Sequence, residues 1–132
     1  MDLVAVRQAV ADACAAVDTT LTGYAVMRGS INVPAVIVQP GAGTFLTFDT
    51  FTSNPDALLL TVTLAVSGAD DTAGQEATDA LITALFGAFT DRTLGGLVAY
   101  AEFVEAFDYG TFPVPGTDAI YYGCRLAVQV KA

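Results

Sequence analysis

Two adjacent acids, Asp70 and Asp71, are the first candidates for chemistry in this sequence, because paired carboxylates bind hard cations or carry protons. They stand in the stretch 64-LAVSGADDTAGQEATDALITALFG-87, which passes from a hydrophobic strand through a turn into an amphipathic helix. The spacing of an EF-hand loop is absent, and adjacent carboxylates on a turn usually point apart. Thr72 and Gln75 have the spacing of a capping box, and a helix N-terminus favours negative charge. This pattern favours helix capping over metal binding.

Glu102 and Glu105 are the second pair of acids that could serve as a general acid and base. On a strand they would face opposite sides, and on a helix they would share a solvated face. The chain has no histidine, which removes the commonest general base and metal ligand. It also contains neither a P-loop nor a G-x-G-x-x-G after a strand. We therefore expect a protein that is not an enzyme, with no catalytic, metal-binding or cofactor-binding residues.

Composition narrows the class of protein further. The 132 residues fit one domain, 1–132, that can bury its own core. The formal charge is −9, and the five basic residues are scattered, which argues against a surface that binds nucleic acid. No apolar run approaches the ~20 residues that cross a bilayer, and the start of the sequence lacks the pattern of a signal peptide. We expect a soluble protein with no membrane partner.

The two cysteines, Cys14 and Cys124, are far apart in sequence and form no C-x-x-C pair. Small buried thiols in a reducing cytoplasm are the favoured interpretation. A Cys14–Cys124 disulfide is the alternative.

The hydrophobic patterns predict two helices and several strands. A helix is expected over 2–21, where apolar residues recur every three or four positions, and a second one from Thr72 to near Gly87 or Phe89. Short β-rich pieces around 24–28 and 35–39 are followed by β patterns at 45–51, 58–67, 98–110 and 119–130. A helix over 97–107 is the alternative to the strand there, and the aromatic and β-branched residues favour the strand.

The strand 58–67 has one fully apolar face and one mixed face, which predicts a sheet with one covered side. We predict an α+β domain, a mostly antiparallel β-sheet with two α-helices packed on one face, in the order α-β-β-β-α-β-β.

The segment 45-FLTFDTF-51 carries aromatic residues on both of its faces. Phe45 and Phe51 would point one way and Phe48 the other. A single-sheet domain has few ways to cover both sides by itself, so a second chain is a reasonable cover. We therefore take Phe45, Phe48 and Phe51 as candidate interface residues, with burial in the core as the alternative.

The pattern as a whole resembles the tail-terminator (tail-completion) proteins of long-tailed bacteriophages. The resemblance lies in the order of five segments: an amphipathic helix at 2–21, 31-INVPAVIVQPG-41, 58-LLLTVTLAVSG-68, 74-GQEATDALITALFG-87 and 108-DYGTFPVPGTDAIYYGCRLAVQV-130. The last segment contains D-Y-G and a Y-x-G-x-x-L-x-V-x-V ending. Together the segments cover nearly the whole chain.

This resemblance implies a structural virion protein that is assembled in the host cytoplasm. It would form a ring, usually a hexamer, that caps the tail tube, stops its polymerisation and joins it to the head–tail connector. DNA would pass through the ring without specific binding, and the strong negative charge of the chain suits that passage. If the turn with Asp70 and Asp71 faces the channel, these acids would add to its repulsion of phosphates.

Two other classes of protein remain open. One is another head–tail joining or neck adaptor protein, monomeric or dimeric. The other is a small cytoplasmic ligand-binding domain, for which the sequence names no site.

Overall fold

The computed structural model describes residues 1–41, 45–48, 55–68, 72–114, 116–117 and 119–132. Within these residues the chain forms two helices and six strands: α1 (Leu3–Ala15), β1 (Thr22–Tyr24), β2 (Ala35–Pro40), β3 (Leu46–Phe48), β4 (Pro55–Ser67), α2 (Thr72–Leu85), β5 (Tyr100–Pro113) and β6 (Ile120–Lys131). The predicted α+β class is confirmed. Four strands, not three, precede α2 in the described part of the chain.

The six described strands form one sheet, in which five follow the order β1-β2-β4-β6-β5 and β3 pairs with β4 off this path. All pairs are antiparallel except β1 with β2, so the predicted mostly antiparallel sheet is confirmed. β4 pairs with β6 along one edge, and its other edge is shared by β3 and β2. β4 is therefore the central strand.

Both helices pack on one face of the sheet, as predicted. The cluster between them contains Val6, Val10, Cys14, Leu60, Val62, Leu64, Leu81, Leu85 and Val128, all buried. Alternate residues of β4 point into this cluster because successive side chains of a strand face opposite sides. Val17 packs against the cluster but is only partly buried.

The first helix is shorter than the prediction of 2–21. Asp2 caps its start, because the carboxylate accepts a hydrogen bond from the Ala5 amide at 3.1 Å. The helix ends at Ala15. Beyond it, the Asp18 carboxylate accepts hydrogen bonds from the Thr20 amide at 2.8 Å and the Thr20 hydroxyl at 2.6 Å. This local turn competes with helical bonding, so the apolar spacing that continues to Leu21 does not extend the helix.

β1 lies at Thr22–Tyr24, two residues before the β-rich piece predicted around 24–28. The segment 25–34 instead leads back to the start of β2 and crosses the second face of the sheet. There Ile31 packs against a buried cluster of Ile37, Ala65, Phe112 and Val114. The expectation of one covered side was therefore wrong at this end of the sheet.

The polar residues on that second face of β4 are also buried. Thr63 is fully buried, and its hydroxyl donates a hydrogen bond to Gln39 Oε1 at 3.0 Å. The hydrogen bond offsets the cost of removing these groups from water.

The segment 97–107 lies mainly in β5, so the preference for a strand over a helix is confirmed. β5 contains a bulge between Phe103 and Glu105. Because of this extra residue, Glu102 pairs with Gln129 and Glu105 pairs with Ala127, two positions apart on β6. The two glutamates therefore lie on the same side of the sheet, and the expectation that they face opposite sides was wrong.

α2 begins at Thr72, so Thr72 is a helical residue and not the N-cap that a capping box would require. Its inward face follows the predicted spacing, with Thr78, Leu81 and Leu85 buried. The Thr78 hydroxyl donates to the Gly74 carbonyl at 2.8 Å, which satisfies it inside the core. In the described part of the chain, neither helix is both long enough and apolar enough to cross a membrane.

Candidate subunit interface

The aromatic segment at 45–51 is only partly described. Phe48, the last residue of β3, is 57% exposed. Phe45 is half-buried against the core, and the Arg7 guanidinium lies 5.7 Å from the centre of its ring. Phe51 lies outside the described residues. The structure therefore places Phe45 largely in the fold and leaves Phe48 open to a partner.

A surface groove of about 310 Å³ lies beside these residues, at the end of the sheet where β4 begins and β6 finishes. Its lining includes Phe45, Thr47, Leu59 and Lys131. The Lys131 amine forms an ion pair with Asp56 at 3.6 Å. We call this surface, the groove together with Phe48 and Asp56, the groove end.

The opposite end of the sheet carries exposed apolar side chains that the sequence patterns did not single out. They are Val26, Met27, Val33 and Ile120. The first three lie in the segment 25–34, and Ile120 opens β6 beside the turn that follows β5. The segment and this turn are in contact, since a Cβ added at Gly116 would lie 3.0 Å from the Arg28 carbonyl oxygen and 3.2 Å from Met27 Cβ. We call this surface the loop end.

The only sequence signal for the loop end is the run V-M-R-G at 26–29. It lies in the piece that the sequence predicts to be β-rich around 24–28. The structure places it in the loop between β1 and β2, and only the fold shows that Val26 and Met27 stay in solvent.

The D-Y-G segment at 108–110 forms a second irregularity of β5. Asp108 and Gly110 have positive φ angles of 53° and 138°, and the pairing with β6 shifts between Phe107 and Gly110. The shift aims Tyr109 at α2, where its hydroxyl donates to Asp79 Oδ1 at 2.8 Å. This hydrogen bond to the carboxylate raises the pKa of Tyr109 above its ordinary value.

The neighbouring Asp108 pairs with Arg125 of β6 at 3.1 Å, and the Arg125 guanidinium lies 4.8 Å from the centre of the Phe112 ring. The D-Y-G segment thus ties the edge strand both to α2 and to β6. These contacts are structural.

Asp70 and Asp71 lie outside the described residues. The first residue after them, Thr72, opens α2. Next to this helix start, an apolar groove of about 490 Å³ is lined by small side chains of α2 and by Pro34 and Val66. A groove of this size is wide enough for a small apolar group.

Both cysteines are free thiols, so the disulfide alternative was wrong. Burial raises the pKa of the Cys14 thiol to about 12. Burial also raises the pKa of Cys124, whose sulfur lies 3.3 Å from the Phe107 carbonyl oxygen. Both thiols stay protonated near neutral pH, which makes them poor nucleophiles.

The described residues bring no three potential ligands among His, Cys, Asp and Glu together in one group that could hold a metal ion. Glu105 is exposed, and Glu102 is half-exposed and lines a surface groove of about 220 Å³ together with Phe86 and Arg92. The sheet itself carries exposed apolar surfaces at its two ends, and Val4 on α1 and Phe86 just after α2 are exposed apolar residues on the helix side.

Comparison with known proteins leaves the family open. No protein-family model matches the sequence, and a comparison with curated proteins gives no significant match.

Proposed function

We propose that this chain is a structural virion protein, a ring-forming tail terminator of a long-tailed bacteriophage. In this role it caps the tail tube, stops its polymerisation and joins the tail to the head–tail connector. Its partners are further copies of itself, the tail-tube protein and the connector.

The observation that carries the proposal is the exposed aromatic surface at the groove end. More than half of the surface of Phe48 is exposed to water. The residue ends the three-residue strand β3, beside the apolar groove. A large exposed aromatic side chain next to a concave surface is typical of a protein–protein contact. The sequence segments follow an order that resembles that of tail-terminator proteins. This resemblance is the reason for naming the assembly a tail-terminator ring.

The charge of the chain also suits this function. Each copy carries a formal charge of −9, so a ring of copies surrounds its channel with negative potential. Such a potential repels the phosphates of passing DNA and prevents it from sticking.

The substitution Phe48→Asp tests the proposal. We expect a folded protein that no longer forms rings and no longer limits the length of tubes assembled from the tail-tube protein encoded by the same phage. A charge placed in an apolar contact leaves an unpaired carboxylate on assembly, which is costly. Electron microscopy of the purified protein and of the tubes gives both readouts.

Val104→Asp is the matched control, because Val104 is equally exposed at 56% but lies in the bulge of β5. This variant should still form rings. Normal rings from Phe48→Asp would count against the aromatic contact. A wild-type protein that stays monomeric or dimeric and leaves tube length unchanged would instead favour a neck adaptor.

A further inference from the structure

We propose that the helix side of this protein binds a basic amphipathic helix of a different protein, in a cleft beside α1 and α2. This inference goes beyond the proposed ring, because it concerns a surface other than the groove end.

Two neighbouring grooves form the cleft. The first is the groove of about 490 Å³ beside the start of α2. The second, of about 520 Å³, lies between α1 and the turns at 87–95. Asp18 lines the first groove and Val17 lines the second, so the two lie next to each other just beyond the end of α1. We call the two grooves together the helix cleft.

The cleft exists because the two helices pack on different parts of the sheet. α1 packs chiefly on β1 and β2, and α2 on β4 and β6. The space between them is lined by two stripes of alanine with the spacing i, i+4, i+7, which keeps side chains on one face of a helix. The stripes are Ala9, Ala13 and Ala16 in α1 and at its C-cap, and Ala73, Ala77 and Ala80 in α2. Such small side chains let the backbone of a third helix come close.

The occupant of this cleft must satisfy its own backbone hydrogen bonds. α1 and α2 use their backbone groups internally, so these walls offer few partners to an extended segment. A helix bonds its own backbone and buries one apolar face. The lining supplies larger apolar partners for that face, Val66 and Leu81 in the first groove and Val17 and Leu94 in the second.

The charge of the helix cleft determines the charge of its partner. The acids that line it are Asp12, Asp18 and Asp91, and none of the five basic residues, all of which the structure describes, lines either groove. The Thr20 hydroxyl donates to the Asp18 carboxylate and lowers its pKa, and the Thr93 hydroxyl lowers the pKa of Asp91 in the same way. These carboxylates are therefore ionised at neutral pH and attract a cation.

The basic residues of the chain do not neutralise this surface. Three arginines lie over aromatic rings away from the cleft and the lysine forms an ion pair; they are Arg7, Arg28, Arg125 and Lys131. Arg92 follows Asp91 in the chain but lines a different groove, beside Phe86. Even with Arg92 counted, three acids face one base. Asp70 and Asp71 lie outside the described residues, and as acids they cannot reverse this balance.

The same charges exclude a second copy and DNA as occupants. A second copy offers no basic helix, because α1 contains a single base, Arg7, and α2 contains none. The phosphates of DNA are repelled by the acids. A helix of another protein with lysine or arginine beside its apolar face matches both the shape and the charge of the cleft.

Two designed peptides test the inference. Each is an amphipathic helix of about 18 residues with alanine and leucine on one face. The other face carries lysine in the first peptide and glutamate in the second. We expect the lysine peptide to shift the NMR amide signals of cleft residues such as Ala13 and Ala77, and the glutamate peptide to leave them unchanged. High salt should weaken the binding of the lysine peptide, because it screens the charges.

Two matched pairs of variants locate the contact. Ala77→Trp fills the first groove from an exposed position of α2, and Thr83→Trp places the same side chain on α2 outside both grooves. The first should abolish binding of the lysine peptide, and the second should bind as the wild type does. Asp12→Asn removes one charge from the cleft and should weaken binding roughly two- to fivefold. Glu105→Gln removes one exposed charge from β5 and should leave binding unchanged.

Three results would overturn the inference: no shift of cleft signals at millimolar lysine peptide, equal binding of both peptides, or binding that survives Ala77→Trp. Any of them, obtained with a protein that still forms rings, leaves the tail-terminator function standing. A protein that binds the lysine peptide in the cleft but forms no rings would overturn the proposed function and keep this contact.

Discussion

The central strand β4 and the edge strand β5 have similar lengths but differ in strand pairing and in burial. β4 is paired on both edges, and its residues from Leu60 to Val66 are all buried. β5 is paired only with β6, contains two register shifts and exposes residues such as Val104 and Glu105. The first strand is held by packing on both faces, and the second by a few specific contacts along its length.

This difference shows where the molecule is open to partners. Bulges and acidic residues protect the long edge of β5 against the addition of another strand. At the two ends of the sheet Met27, Ile120 and Phe48 stay exposed, and along β5 Val104 and Tyr109 are exposed as well. This contrast favours the proposed assembly through strand ends over assembly through strand edges.

The largest effect is expected from a truncation in β4. Leu64 is fully buried and lies between Val36 and Cys124 on the neighbouring strands. Leu64→Ala should lower the free energy of unfolding by roughly 2–5 kcal/mol, because it removes buried methyl groups and leaves a cavity. Val104→Ala in the bulge of β5 should change it by less than about 0.5 kcal/mol. Urea titration of both variants measures the contrast, and a loss below about 1 kcal/mol for Leu64→Ala would show that β4 is not central.

The next largest effect is expected where β6 passes β4. A Cβ added at Gly123 would collide with the Leu64 carbonyl oxygen, a backbone atom that cannot move without shifting the sheet. Gly123→Ala should therefore cost about 1–3 kcal/mol or more. Gly68→Ala is the control, because a Cβ at Gly68 meets no atom within 4 Å. Equal thermal stabilities of the two variants would contradict this close approach.

The sequence predicted β4 and α2 well, because their buried residues recur with the period of a strand and of a helix. The alternation in β4 and the spacing of Leu81 and Leu85 in α2 are read directly from residue types. The helix end at Ala15 was missed because a side-chain turn at Asp18 overrides the apolar spacing. The face of Glu105 was wrong because one inserted residue reverses the alternation, and a bulge has no firm sequence signature.

The candidate interface was predicted only in part. An aromatic residue at 48 is visible in the sequence, and its exposure confirms that the core does not take it up. The loop end was missed because exposure of Val26 and Met27 depends on how the segment 25–34 crosses the sheet. That path is fixed by distant partners such as Phe112 and Gly116, which no local pattern connects to the segment.

A smaller effect is expected from the contact that fastens β5 to α2. The hydrogen bond to Asp79 raises the pKa of Tyr109, so the folded state holds the phenol proton more tightly than the unfolded state does. The stabilisation is fully present below the ordinary tyrosine pKa of about 10 and is lost as the pH rises through the raised value. Tyr109→Phe should lower stability slightly at neutral pH and should not show this alkaline loss.

Asp79→Asn sharpens that experiment, because it keeps an oxygen acceptor and removes the charge. The pKa of Tyr109 should fall toward its ordinary value in this variant, as ultraviolet titration of the phenols would show. Identical alkaline unfolding curves for the wild type and Tyr109→Phe would mean that the contact does not hold the edge strand.

The smallest expected effect concerns Asp70 and Asp71, which the sequence places immediately before the first residue of α2. A negative charge near a helix N-terminus contributes typically 0.3–1 kcal/mol. Replacing both residues with Asn keeps polar capping groups, so the free energy of unfolding should fall only modestly.

If these acids also line the channel of the proposed ring, the double variant should retain DNA more strongly than the wild type. Low salt should enlarge that difference because screening is weaker. Electrophoretic retention of DNA by rings confirmed as assembled separates the two roles. Unchanged retention at low salt leaves helix capping as their only function, whereas stronger retention assigns them to the channel as well.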